Sequence, residues 1–158
     1  MTRTRVLAAA LALVVTLLGV SVYAQMTRPF HPGTVWSISL IRMKPGMETA
    51  YKNYVAGQWK AEQEAMKKEK MILSYKVLEA EAHNPQDWNL LLLTEYKDLA
   101  TLEANEAKAD MLEQKLVGDD EKQMQGYKDR SEIREIIGER LAREVVLESR
   151  RELASEKR

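Results

Sequence analysis

The chain has no cysteine. That absence removes disulfides, thiolate nucleophiles, thiolate metal ligands and the acylated cysteine of a lipoprotein anchor. Histidine is almost as scarce, with His31 and His83 the only two. Imidazole base chemistry and haem ligation therefore have just two addresses. His31 falls in Arg28-Pro29-Phe30-His31-Pro32-Gly33 and His83 in His83-Asn84-Pro85-Gln86-Asp87, stretches that read as a solvated lead-in and a turn. Neither sign of charge dominates, since 24 Lys and Arg face 24 Asp and Glu. A nucleic-acid partner would call for a concentrated basic surface, so none is expected. HExxH, GxSxG, GxGxxG and Walker patterns are missing too. Asp119-Asp120-Glu121 lacks the spaced oxygen ligands and turn glycine of a calcium loop; it reads as the acidic start of a helix. No metal and no cofactor are expected.

Long apolar runs are also rare, but one stands at the N-terminus. Residues 6–20 are apolar except for Thr16, follow Arg3 and Arg5, and lead into Ser21-Val22-Tyr23-Ala24. A basic stretch, an apolar stretch and small residues before a cut after Ala24 make the pattern of a secretory signal. A membrane anchor would need ~20 apolar residues, which this run reaches only with Tyr23 and Ala24 counted. The expected product is periplasmic or secreted, free of the membrane after cleavage. Losing Arg3 and Arg5 leaves 22 basic residues against 24 acidic, a net charge of −2. Its length suits one domain of ~100–150 residues. The organisation read from the sequence is a signal peptide over 1–24, a single domain over 25–149 and a charged tail over 150–158.

Within that domain the hydrophobic period alternates between two and about 3.6. Thr34–Met43 reads as a strand, with Trp36, Ile38 and Leu40 on one face and Ser37 and Ser39 on the other. Lys44-Pro45-Gly46 breaks it. Met47–Lys68 then reads as an amphipathic helix with Met47, Tyr51, Tyr54, Val55, Gln58, Trp59, Glu62 and Met66 on its stripe. Met71–Ala82 and Trp88–Tyr96 are the next strands, the second centred on Leu90-Leu91-Leu92-Leu93. Asp98 caps a helix over Leu99–Val117, ended by Gly118. Asp119–Ile137 reads as a further helix that Gly138 stops. The β-branched pair Val145-Val146 favours a last strand around Arg143–Glu148 over a continued helix.

The order strand, helix, strand, strand, helix, short helix, strand is an α+β, ferredoxin-like βαββαβ arrangement with an extra helix before the last strand. Both helices of such a fold cover one face of the sheet. The unbroken Leu90–Leu93 run implies that the other face needs cover too, from a partner subunit or an apolar ligand.

The strand and turn Trp36-Ser37-Ile38-Ser39-Leu40-Ile41-Arg42-Met43-Lys44-Pro45-Gly46-Met47, with Trp88–Tyr96 running into Lys97-Asp98-Leu99, resembles the dimeric α+β barrel superfamily. NIPSNAP-like and antibiotic-biosynthesis-monooxygenase-like proteins belong to it. The likeness spans most of residues 35–116 and is one of fold. It implies two ferredoxin-like sheets paired face to face, hence a homodimer. Members include cofactor-free monooxygenases, haem-degrading and dismutase-type haem enzymes and stress-response proteins. The helical histidine of the haem-degrading members has no match here.

With Trp36, Ile38 and Leu40 directed to the helices, Ser37 and Ser39 would face the barrel interior. Ser74, Lys76 and Arg143 would join them, giving an apolar pocket with a few polar groups, the usual composition of a small-molecule site. Three function classes follow: a binding protein for a small apolar or aromatic molecule, a cofactor-independent monooxygenase-type enzyme, and a structural periplasmic partner. The sequence does not separate them.

Overall fold

The computed structural model describes residues 29–148; the expected signal segment over 1–24 and the expected tail over 150–158 lie outside the described residues. The first strand, β1 (Phe30–Met43), starts earlier than Thr34. It ends in a turn closed by Met47 N–H donating to Lys44 O at 2.9 Å, with Pro45 first of the central pair and Gly46 second at φ +79°. That is the demand of a type II turn, and Pro-Gly meets it.

The first helical stretch is continuous but not uniform: α1 (Glu48–Tyr54), a π turn (Val55–Trp59) and α2 (Lys60–Lys68). Its buried side chains, Tyr51, Val55, Trp59 and Gln63, repeat every four residues. A strict four-residue repeat drifts about 40° per step around an α-helix. The wider π turn absorbs that drift and keeps the stripe on the sheet. Gln63, rather than the expected Glu62, is the buried residue, and its Oε1 accepts from Thr94 Oγ1 at 2.9 Å.

The next strand, β2 (Ser74–Glu79), is shorter than expected, because Met71 and Ile72 are buried in the connection ahead of it. β3 (Leu90–Tyr96) follows. The single helix expected over Leu99–Val117 is two, α3 (Leu99–Ala104) and α4 (Glu106–Leu116). Asn105 parts them, its Nδ2 donating to Thr101 O at 2.7 Å, as short amide side chains do when they compete with the helix backbone. Asp98 Oδ1 accepts from Thr101 N–H at 2.7 Å and caps α3.

The largest departure lies near the C-terminus. The helix α5 (Asp120–Ile133) stops four residues early, and β4 (Arg134–Leu147) begins nine residues before Arg143. Ile136 and Ile137 belong to the strand, and Gly138 lies inside it instead of ending a helix. β-branched residues favour strand backbone. The last helical carbonyl, Ile133 O, accepts from Lys44 N–H at 3.1 Å, which fixes the crossing point.

The sheet order is β2-β3-β1-β4. β3 runs antiparallel to both neighbours, β1 and β2, so β1 and β2 are parallel with β3 between them. This is the α+β, ferredoxin-like fold, with α5 as the extra helix before the last strand. α2 packs on α4 and α1 on α5. Ile41, Met43, Leu90 and Leu92 from the sheet meet Tyr51, Val55 and Trp59 from the helices in one core. The chain divides into two compact units. Thr34–Glu144 contains every described helix, β2 and β3. The other joins Met1–Gly33 to Val145–Arg158; among its described residues, Glu148 N–H donates to Pro29 O at 2.9 Å.

Candidate functional site

Register decides which face each strand residue occupies. Val35 lies opposite Tyr96, Ser37 opposite Thr94, Ser39 opposite Leu92 and Ile41 opposite Leu90, without a break. Val35, Ile41, Leu90 and Leu92 are buried in the molecule, with Thr94 bonded to Gln63 of α2, so this set faces the helices. Ser37 and Ser39 belong to it. The intermediate set, Trp36, Ile38 and Leu40 with partners Glu95, Leu93 and Leu91, faces away from them. β2 adds Ser74, Lys76 and Leu78 to that second, open face, opposite Glu95, Leu93 and Leu91.

The expected orientation of β1 is therefore reversed. Three large apolar residues flanked by two serines pointed to Trp36, Ile38 and Leu40 as the core side. Val35, Ile41 and Met43, two of them beyond the serines, outweigh that signal, because they share one parity and all three are nearly solvent-free. Of the five residues expected to line a common pocket, Ser74 and Lys76 stand together on the open face and Ser37 and Ser39 under the helices. Arg143 is exposed on β4 and lies in the field of Asp98.

The open face is apolar with polar corners. Trp36, Ile38, Leu40, Leu78, Leu91 and Leu93 are neighbours across three strands, and Leu78 is 49% exposed. Lys76 Nζ sits 5.2 Å from the centre of the Trp36 ring, a cation–π contact. At the corner, the Glu95 carboxylate accepts from Ser74 Oγ and from Thr34 Oγ1, the latter at 2.9 Å. Thr34 Oγ1 also lies 3.1 Å from Glu144 Oε2, and having one hydrogen it donates to one carboxylate at a time. Glu95 and Thr34 escaped the sequence reading. Their signal was parity: both fall in step with Trp36 and Leu93.

A different chemistry occupies the helix side. Arg134 is 7% exposed and lies 5.4 Å from the centre of the Tyr127 ring, and its charge opposes the effect of burial on the Tyr51 phenol. Arg130 lies 4.9 Å above the Tyr54 ring. Burial pushes the Tyr54 phenol up to about 12, against the opposing pull of Arg130. Burial raises Tyr51 and Tyr96 as well. Such phenols stay protonated at neutral pH and do not act as bases. His83 is exposed in the loop between β2 and β3, where its backbone N–H donates to Asp87 Oδ2 at 3.3 Å. His31 Nε2 is 3.9 Å from Glu148 Oε1.

A polar cleft of about 350 Å³ lies by the β2–β3 loop, where Arg42 pairs with Glu135 and donates to Pro85 O. An apolar groove of about 280 Å³ runs between the π turn and β2.

Neither a protein-family model nor a curated protein matches this sequence. Solved structures do. HapK from Hahella chejuensis is 14% identical, covers 68% of this chain and 90% of its own, and superposes with a TM-score of 0.45. A NIPSNAP family protein of unknown function from Agrobacterium tumefaciens is 14% identical over 75% of this chain and 92% of its own, TM-score 0.47. A dimeric ferredoxin-like protein from an uncultured marine organism is 16% identical over 75% and 99%, TM-score 0.42.

Proposed function

We propose that this chain is exported and acts as a homodimer, its two open sheet faces enclosing a small apolar or aromatic molecule. One observation carries the reading: six large apolar side chains form an unbroken patch on the face that no described helix covers. Large contiguous apolar surface of this kind marks an interaction site. A flat sheet face can be self-complementary about a twofold axis, which is the requirement of an isologous dimer. The Ser74–Glu95–Thr34 corner and Lys76 would supply the few polar contacts that orient a ligand inside an apolar pocket.

Light scattering on the purified protein should give twice the monomer mass at micromolar concentration. A stable interface of this kind buries ~1,200–2,000 Å² in total. A monomer would overturn the reading. The export arm rests on the N-terminal pattern of Arg3, Arg5 and residues 6–24. Mass spectrometry of the exported protein should find Gln25, free or cyclised, as its first residue; a chain retaining Met1 would contradict it.

A further inference from the structure

We infer that Arg134 and Arg130, which face Tyr51 and Tyr54 where α5 packs on α1, form a binding site for a small tetrahedral oxyanion of the sulfate or phosphate kind. Arg134 is the one charged side chain that is buried among the described residues. Its Nε has no hydrogen-bond partner, and it forms no ion pair among those residues. A guanidinium cannot shed its proton, so an enclosed one calls for an anion. Arg130, in the last turn of α5, has no ion-pair partner among the described residues either. Both guanidiniums act on both phenols, whose rings stand 5.7 Å apart. Gly126, inside α5, belongs to the same arrangement. Glycine weakens a helix relative to alanine, yet a Cβ here would stand 3.0 Å from Arg130 Nη1. The missing side chain gives the guanidinium its place.

The acids on the surrounding elements leave the charge of Arg134 unmatched. Glu48 accepts from Gly46 N–H at 3.3 Å, Asp129 from Gln125 Nε2 at 2.7 Å, Glu135 pairs with Arg42, and Glu132 is exposed. Each keeps its charge, but none is within ion-pair distance of either arginine. Glu62 of α2 interacts with Arg130 at a distance. The carbonyl end of α5 supplies roughly half a negative charge, half of what one enclosed guanidinium needs. The Tyr127 ring covers Arg134 with π density but carries no net charge. Geometry then selects among anions. A planar carboxylate presents two oxygens along one edge and suits one guanidinium fork. A tetrahedral oxyanion presents oxygens in several directions, so it can meet both forks and still accept from a phenol hydroxyl. These groups are on the helix side of the sheet, so the site stands or falls independently of pairing through the open face.

Sodium sulfate would be titrated into the purified protein at constant ionic strength, replacing chloride, and followed by the NMR signals of the arginine Nε–H groups. The expected result is saturable movement of the Arg134 and Arg130 signals, half-complete at about 1 mM or below. Acetate should bind roughly tenfold more weakly, since it serves one fork. Arg130→Gln keeps the helix propensity of its position and should lose roughly tenfold in sulfate affinity, the worth of one charge-assisted hydrogen bond. Arg134→Lys, which keeps the charge but not the fork, should lose at least as much. Arg130→Gln decides the question even where Arg134→Lys does not fold. Movement that never saturates would overturn the proposal, as would equal affinity for sulfate and acetate, or full sulfate affinity in Arg130→Gln. Saturable shifts confined to Arg42 would overturn it too, and would place the anion in the polar cleft by the β2–β3 loop.

Discussion

At Tyr54 two opposing effects act on one proton. The Arg130 guanidinium, 4.9 Å from the ring centre, favours phenolate, and burial disfavours it; burial wins and the group titrates at about 12. In the unfolded chain it would titrate near 10. Between those values the native state keeps a proton that the unfolded state has lost, so stability falls as pH rises. The contribution is complete below pH ~10 and disappears toward 12, and the raised Tyr51 and Tyr96 act in the same sense. Urea midpoints measured from pH 9 to 12 should drop, and Tyr54→Phe should flatten the drop. An identical fall in the variant would assign the alkaline loss to other groups. Ser39 shows the same dependence on surroundings in a smaller residue. Beneath the helices and opposite Leu92, it is a spacer in the helix–sheet contact, so Ser39→Leu would crowd the core side and leave the open face untouched.

The end of α2 shows how an element is closed against its own sequence preference. Met71 N–H donates to Met66 O at 2.9 Å and Lys70 N–H to Lys67 O at 3.0 Å, the paired bonds of a Schellman motif. That motif places Lys70 at φ +58°, a left-handed conformation in which a side chain costs ~1–2 kcal/mol. Glycine avoids the strain but loses more entropy on folding. Lys70→Gly should therefore stabilise the protein by about 0.5–1 kcal/mol in chemical denaturation. Destabilisation would mean that Lys70 makes contacts worth more than its strain. Legibility varied from element to element. The Lys44-Pro45-Gly46 turn, the first helix and the Leu90–Leu93 strand could all be read, because turn chemistry and periodicity agreed. The π turn was written in the four-residue repeat of Tyr51, Val55, Trp59 and Gln63, but Glu62 beside Gln63 masked it. β4 was missed over Arg134–Ala142, where alternation is weak and Ile136-Ile137 fits either state. The orientation of β1 was missed because both of its faces are apolar, and only the register with Leu90 and Leu92 separates them.

At the scale of the whole molecule, that register turns four adjacent leucines into a test of architecture. Leu90 and Leu92 are 1% and 8% exposed against Trp59, Val55 and Tyr51, while Leu91 and Leu93 point to the uncovered face beside Leu40 and Ile38. A charge at Leu92 would be buried without a partner inside the monomer, a cost of several kcal/mol that a domain of marginal stability cannot absorb. Leu92→Asp should therefore lose the native circular dichroism spectrum or fail to accumulate. A charge at Leu91 meets solvent in the monomer and is buried only when two sheets pair. Leu91→Asp should keep its secondary structure and its cooperative unfolding, yet elute and scatter at the monomer mass where the parent is dimeric. The double-size species should also return in Leu91→Met, which preserves apolar area and nearly the same volume. If Leu91→Asp unfolds as completely as Leu92→Asp, the open face is needed for the fold of the single chain and pairing is not its purpose. If it folds and stays dimeric, the subunits meet through some other surface.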